Sequence, residues 1–484
     1  MGASACRPRC GFGLALALAL GVSSHLHAEA RSQAELTCVL GSGELLNADE
    51  PGRSEEPPWQ SLASPRAGDD NRVRVAVSSA SAGFAPGVTT SALLRLELSF
   101  SSATGPASAL RDVSSSLALT WQVAPRVELS LRAFPFDTNY LRLGYLHALD
   151  WGGTDAEHGE SIFLAQAGAV PGAQLSLQNR STRLFVALKW AHTRDALQGD
   201  RRLWGVLSGA SVALLPTLRI DGGFGYFQRS SLVPEGALAS FVEGASVRMV
   251  WHRQAREPEL SAEPFRPPAF ADDANRLDAE ASSGWALALE GVTLVQRLRR
   301  FEQPDAASLA PAPAAALYGS ARGRVLAFHA ALSWRSLAFV LRNDVRLARG
   351  ETLPSSARAL PELSAWLGAS AALAVPQLIP SFELAVRLPA ALETPGALVG
   401  FRQTLLAAGP AGLEALPIGA GRLPVLSARL GTRFRASASF DLSLFGDYER
   451  NPNRVKFAES LSGVTRAFAR PDRLALFAAA QARF

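Results

Sequence analysis

From about residue 92 onward, apolar and polar residues alternate along the chain with a period of two. Leu94, Leu96, Leu98 and Phe100 alternate with Arg95, Glu97 and Ser99, and Leu117, Leu119, Trp121 and Val123 with Ala118, Thr120 and Gln122. Val127, Leu129 and Leu131 alternate with Arg126, Glu128, Ser130 and Arg132. The register returns in Leu184-Val186-Leu188-Trp190, in Leu218-Ile220 with Phe224-Tyr226, in Leu337-Phe339-Leu341 and in Phe382-Leu384-Val386-Leu388. It returns again in Leu426-Ala428-Leu430 with Phe434, and in Phe440-Leu442-Leu444. Successive side chains of a strand point to opposite faces, so each segment predicts a strand with one apolar and one polar side. The uncharged stretch 363–382 contains Pro376 and Pro380, which divide it into two short strands rather than one helix.

Short breaks join several strands: Ala124-Pro125, residues 178–181 (where Asn179-Arg180-Ser181 reads as a turn), Leu215-Pro216 and Ser437-Ala438. Longer Pro- and Gly-rich stretches separate others, at 253–283, 300–321, 349–361, 408–424 and 449–471. The pattern predicts an all-β fold, a transmembrane antiparallel β-barrel of about 16–20 strands. The alternation of short turns and long loops lapses near 124–160 and between 375 and 424. A soluble β-sandwich alternates too, but three features favour the barrel. Tryptophans gather at strand ends (Trp121, Trp190, Trp251 and Trp334) and strand starts (Trp204 and Trp285), as in an interfacial belt. The apolar faces are nearly free of charge, while the opposite faces hold arginines and carboxylates. The chain also ends on an alternating strand, Leu474-Leu476-Ala478-Ala480-Ala482-Phe484, that finishes on an aromatic residue. On these residues the sequence resembles the bacterial outer-membrane β-barrel superfamily, porin-like, with no specific family assigned. The resemblance implies outer-membrane lipid around the wall and a barrel-assembly machinery that reads Leu476 and Phe484.

The N-terminus fits that address. Arg7 and Arg9 precede the apolar run Gly11 to Val22, and Ala28-Glu29-Ala30 supplies a small-x-small cleavage pattern, so residues 1–30 read as a secretory signal peptide. Residues 31–71 carry eight acidic side chains, three arginines and four prolines, and read as a flexible acidic N-terminal segment ahead of a barrel over 72–484. The location expected is the outer membrane of a Gram-negative bacterium, after export across the inner membrane.

Composition narrows the chemistry. Charged residues make up 19% of the chain, below the usual level of about 25%. There are three cysteines, two of them in the signal, which excludes a disulfide framework and multi-cysteine metal clusters. Neither GxSxG nor HExxH occurs, and neither lysine, Lys189 or Lys456, follows a glycine. His147, His158, His192, His252 and His329 are spread out without paired ligand spacing. No catalytic, cofactor or metal site is expected, and no nucleic-acid partner.

What remains is a wall. The polar faces would line a lumen with Arg95, Glu97, Arg126, Glu128, Arg132, Arg142, Arg183, Lys189, Arg219, Asp221, Arg342, Asp344, Arg346, Arg387, Arg429, Arg433 and Arg435. Arg248, Glu290, Glu383, Asp441 and Asp447 join the same set. Basic residues exceed acidic ones there, and an excess of fixed positive charge in a narrow tube attracts anions. The acidic stretch 253–283 reads as an exposed surface loop, with a loop folded into the lumen as the alternative. The functional expectation is an outer-membrane channel for passive diffusion of small polar or anionic solutes. The alternatives are a non-conducting structural or surface-interaction barrel, a lipid-acting barrel enzyme, and a secreted soluble β-protein.

Overall fold

The computed structural model describes residues 31–42, then 69–136 apart from 83–84, 102–107 and 113–114, then 141, 143–144 and 146–147. From residue 170 it describes the rest of the chain except 196–198, 230–239, 254–282, 301–302, 324, 341–357, 374–376, 395–402, 408–412 and 461–462. In chain order the elements are β1 (Arg31–Ser42), β2 (Asp69–Ala82), β3 (Val88–Ser101), β4 (Ser108–Asp112), β5 (Ser116–Ala124), β6 (Val127–Phe134), β7 (Gly172–Gln178), β8 (Thr182–Asp195) and β9 (Gly199–Leu215). Next come β10 (Leu218–Arg229), β11 (Ser240–Arg253), β12 (Gly284–Arg300), β13 (Gln303–Arg322), β14 (Leu326–Arg335), the helical turn α1 (Leu337–Val340), β15 (Arg358–Leu360), β16 (Glu362–Ala371) and β17 (Leu378–Leu388). The last are β18 (Ala391–Thr394), β19 (Gln403–Ala407), β20 (Leu413–Ala415), β21 (Val425–Ser437), β22 (Phe440–Arg450), β23 (Val455–Ser460), β24 (Gly463–Phe468) and β25 (Asp472–Arg483).

Each wall strand pairs antiparallel with the next, and β25 pairs back onto β1 from Glu35↔Arg483 to Ser42↔Leu476, which closes the sheet on itself. β4 and β5 occupy one position, because both pair with β3, so the barrel has 18 strands. At their junction the ladder is interrupted at Arg95. There Ser115 Oγ accepts the Arg95 N–H at 2.9 Å, and Asp112 Oδ2 accepts the Ser115 N–H at 3.1 Å, so a hydroxyl replaces the missing carbonyl partner.

One end of the barrel carries the short connections 83–87, 125–126, 179–181, 216–217, 323–325, 372–377 and 438–439; the other carries most of the long ones. At 179–181, Asn179 Oδ1 accepts the N–H groups of Ser181 and Thr182 at 2.9 and 2.7 Å, an Asx turn at the expected place. The exception is 254–283. β11 runs down to the turn end, where Arg253 lies opposite Trp285 and the His252 N–H bonds to Thr217 O. That long acidic connection therefore leaves and re-enters at the turn end, and its own residues 254–282 lie outside the described ones. At the loop end, β15, β18, β19 and β20 form a small separate sheet and β23–β24 a hairpin. Arg422 ties them down by donating to Pro361 O at 2.6 Å and Pro389 O at 2.9 Å.

Three sequence expectations change. Residues 31–42 are not part of a flexible segment: β1 is the strand that closes the barrel, with Leu36, Cys38 and Leu40 on the face opposite Glu35 and Thr37. The wall thus begins at Arg31, and β2 begins at Asp69 rather than at 72. Residues 1–30 and 43–68 lie outside the described residues. The Pro-rich stretch 300–321 is mostly strand. Pro311 and Pro313 sit where β13 pairs only with β12, because β14 stops opposite Ala314 and asks for no N–H there. Finally, the alternation at Leu337-Phe339-Leu341 is no strand, since β14 ends at Arg335. Ser336 Oγ accepts the Phe339 N–H at 3.2 Å and starts α1.

The outer face is apolar around the wall. Leu94, Leu131, Val186, Leu287, Leu332, Leu367, Leu384, Leu430 and Leu444 all stand exposed on it. Tryptophans mark two levels: Trp121, Trp251 and Trp285 near the turn end, and Trp190 opposite Trp204, with Trp334, toward the loop end. Water does not tolerate so large a continuous apolar surface, whereas hydrocarbon between two headgroup layers does.

Candidate functional site: the inner wall and the segment that crosses it

The inner wall has two unlike sides. From β16 round through the closing seam to β3 it is charged. Arg429 meets Asp447 at 2.6 Å, and Arg74 meets Glu97 at 2.6 Å. Asp441 gathers Arg433 at 2.5 Å, Arg483 at 3.3 Å and Arg435 at 3.5 Å. Glu362 takes Arg335 and, at 3.6 Å, Arg387. Across the lumen Asp221 holds Arg219 at 2.7 Å and also Arg248. The ladder explains these groupings. Arg435, Asp441, Gln481, Thr37, Arg74 and Glu97 stand directly opposite one another on six successive strands, forming one polar row across the seam. Cross-strand neighbours of opposite charge stabilise a pair, and arginine's fork lets one carboxylate serve two or three partners. Among the described residues, nine arginines so engaged share six carboxylates, the sixth being Glu35, 4.0 Å from Arg483. Within these pairs the basic side chains outnumber the acidic ones.

From β8 to β13, toward the loop end, the inner face is apolar instead. Phe185, Ala187, Leu203, Leu207, Phe227, Val292, Leu294, Ala312 and Ala314 point inward and are buried. What covers them is the connection after β6 together with α1. Phe134, Leu141, Leu143 and Phe339 complete the cluster, and Phe339 is 1% exposed. The segment is seated with specific contacts. Leu143 lies over Gly223 of β10, where an added Cβ would meet Leu143 Cδ2 at 2.6 Å. Glu290 of β12 accepts the Leu146 N–H at 2.9 Å and the His147 N–H at 3.4 Å. His147 Nε2 lies 3.1 Å from Ala315 O of β13 and 3.3 Å from Ser333 Oγ of β14, with its ring edge-on to Phe339 at 5.6 Å. Leu146 packs beyond, on the row Tyr318, Ala331, Trp366 and Ala385. These described residues thus lie along one side of the lumen, over the wall from β10 to β14 and its neighbours β16 and β17.

A buried Ser–His pair raises the question of catalysis. With a carbonyl oxygen at 3.1 Å, His147 Nε2 must carry its proton and donate, so it cannot at the same time accept one from Ser333. Glu290, the nearby carboxylate, binds backbone N–H groups of this segment. The arrangement anchors a chain segment; it does not activate a nucleophile.

Of the residues expected on the wall, Arg95, Glu97, Arg132, Arg183, Lys189, Arg219, Asp221, Arg387, Arg429, Arg433 and Arg435 lie on inward-facing strand positions. Glu128 also lies in that phase but is exposed near the turns, opposite Gln122 and Gln178. Arg126 is not on the wall: it takes a φ of 75° in the exposed β5–β6 turn, because the strand ends at Ala124. Arg142, Arg342, Asp344 and Arg346 lie outside the described residues, and the strand phase that put the last three on the wall ends with β14. Arg72, Arg74, Glu35, Arg335, Glu362 and His147 belong to the inner surface and were not among the expected residues.

No family model matches the chain, and no curated protein matches it. Solved structures similar to it include Pseudomonas aeruginosa OccK5 (OpdH), at 9% identity and a TM-score of 0.45, covering 94% of this chain and 98% of that one. Two others are the outer membrane protein OpdK of the same organism and OpdK with vanillate, each at 10% identity and a TM-score of 0.46. They cover 94% of this chain and 99% and 98% of theirs.

Proposed function

We propose that the chain is an outer-membrane channel for passive diffusion of small polar or anionic solutes. The observation that carries this reading is the arginine excess on the charged side of a closed barrel whose exterior is apolar. Solutes would pass along that side, narrowed by the segment that lies over the wall from β10 to β14. In a low-dielectric tube an excess of basic over acidic side chains attracts anions and repels cations, more strongly at low salt. No covalent chemistry is involved. Export through residues 1–30, insertion into outer-membrane lipid, and recognition of the β25 end at Leu476 and Phe484 by an assembly machinery belong to the same reading.

The test is current across a planar bilayer holding detergent-folded protein under a tenfold KCl gradient. Discrete steps with a reversal potential favouring chloride support the channel and its selectivity; steps favouring potassium refute the anion preference. A second reading, a non-conducting barrel, draws on the apolar cluster around Phe339, which fills one side of the lumen as a protein core would. Silence from protein shown to be folded and inserted selects it.

A further inference from the structure

We infer that Glu290 is the positioning residue of the inner segment: its carboxylate latches that segment against the β10–β14 side of the wall and so sets how wide the lumen stands beside it. This rests on the channel reading and names what regulates that site. Glu290 is 1% exposed, on an inward position of β12, and its two oxygens take the consecutive N–H groups of Leu146 and His147. These are charge-assisted bonds to backbone, so they fix the main chain of the segment whatever its side chains do. The approach is possible only because residue 144 is glycine. Gly144 has a φ of +80°, and a Cβ there would lie 2.4 Å from His147 O and 2.9 Å from Glu290 Oε1. Arg248 stands directly opposite Glu290 on β11, so the latch carboxylate faces a guanidinium that is already engaged with Asp221.

The other contacts of the segment are of a different kind. Leu143 and Leu146 are held by packing, and His147 by a carbonyl and a hydroxyl on the loop-side half of the wall. Glu290 grips the backbone from the wall with a full charge. Its loss leaves two amide donors without their acceptor and frees the middle of the segment, while the ladder of β12 stays intact.

The experiment compares wild type, Glu290→Gln and Gly144→Ala in single-channel recordings. Gln presents an NH2 group where one oxygen accepted, and Gly144→Ala pushes the segment off the same carboxylate from the other side. Both variants should show a larger main conductance or frequent transitions to a larger one. Time in the wide state should rise roughly tenfold or more, the scale of losing a charge-assisted bond. Heat-modifiable gel migration should remain that of a folded barrel, since no wall pairing is touched. A folded Glu290→Gln protein with wild-type conductance and noise overturns the latch while leaving the channel standing. Silence of the wild type with current from Glu290→Gln supports the latch as a plug. Silence of every folded variant overturns the channel reading and the latch with it.

Discussion

Replacing Asp441 by Asn tests the charged side of the lumen at its densest point. Asp441 is 3% exposed and holds Arg433, Arg435 and Arg483 at 2.5, 3.5 and 3.3 Å. Breaking a buried ion pair from one side costs about 3–5 kcal/mol, because the remaining charge stays buried. Only Arg433, 5% exposed, is held to that full figure; Arg435 and Arg483 reach water and contribute at most about 1 kcal/mol each. The Asn carbonyl keeps one neutral bond worth about 1 kcal/mol, so the expected loss is about 2–4 kcal/mol. The assay is the folded fraction, by heat-modifiable migration, across a urea series, with the reversal potential measured on the same preparation. Asn adds one unit of positive charge to the wall, so the preference for chloride should increase, most clearly below about 0.1 M salt, where screening reaches beyond about 10 Å. Wild-type urea resistance together with an unchanged reversal potential would refute the reasoning: neither the stability of the seam nor the selectivity would then depend on this cluster.

Other outcomes follow from the same contacts. Phe445 and Phe477 stack at 5.0 Å across β22 and β25, with Arg429 about 5.7–5.8 Å above both rings, so Phe477→Ala should cost about 3–5 kcal/mol in urea resistance and Phe477→Leu clearly less. Ser115→Ala removes the hydroxyl that serves the Arg95 N–H at the β4–β5 junction; a loss of about 1–2 kcal/mol is expected, with faster amide exchange at Arg95 than in wild type. Phe484→Ser should slow insertion by the cellular assembly machinery, read as accumulation of unfolded protein after export, while leaving single-channel conductance unchanged.

The fold was legible wherever a strand separates two different media. Leu94, Leu96 and Leu98 face outward and Arg95 and Glu97 inward, and no other arrangement serves that alternation so well. It was hidden where the inner face is not polar. β1 reads Glu35, Thr37, Val39, Gly41 inward and Leu36, Cys38, Leu40 outward, and its two apolar inward positions lie in an acidic, proline-rich neighbourhood that drowns a seven-residue signal. β13 was hidden by prolines that a strand edge tolerates. The apolar lumen had a signal that went unread: Leu184-Phe185-Val186-Ala187-Leu188 is apolar on both faces, as in a strand buried on both sides. The inner segment had none. Its anchors at Glu290, Ala315 and Ser333 lie well over a hundred residues along the chain from His147, and no local period encodes contacts of that range. The arginine-to-carboxylate pattern was readable as a list of residues, but the sharing of Asp441 and Glu362 required the register.

The seam has a kinetic meaning as well. The pairing that closes the sheet, Glu35 opposite Arg483, joins residues separated by almost the whole chain. Loop-closure entropy and high contact order make such a contact slow to find. Until it forms, β1 and β25 are two open edges, each with a row of unspent N–H and C=O groups that will accept any passing strand. The interval between synthesis and closure is therefore the vulnerable period of this protein's life. The mutual bonds of Ala34 and Phe484, at 2.8 and 3.1 Å, are the hydrogen bonds that end it.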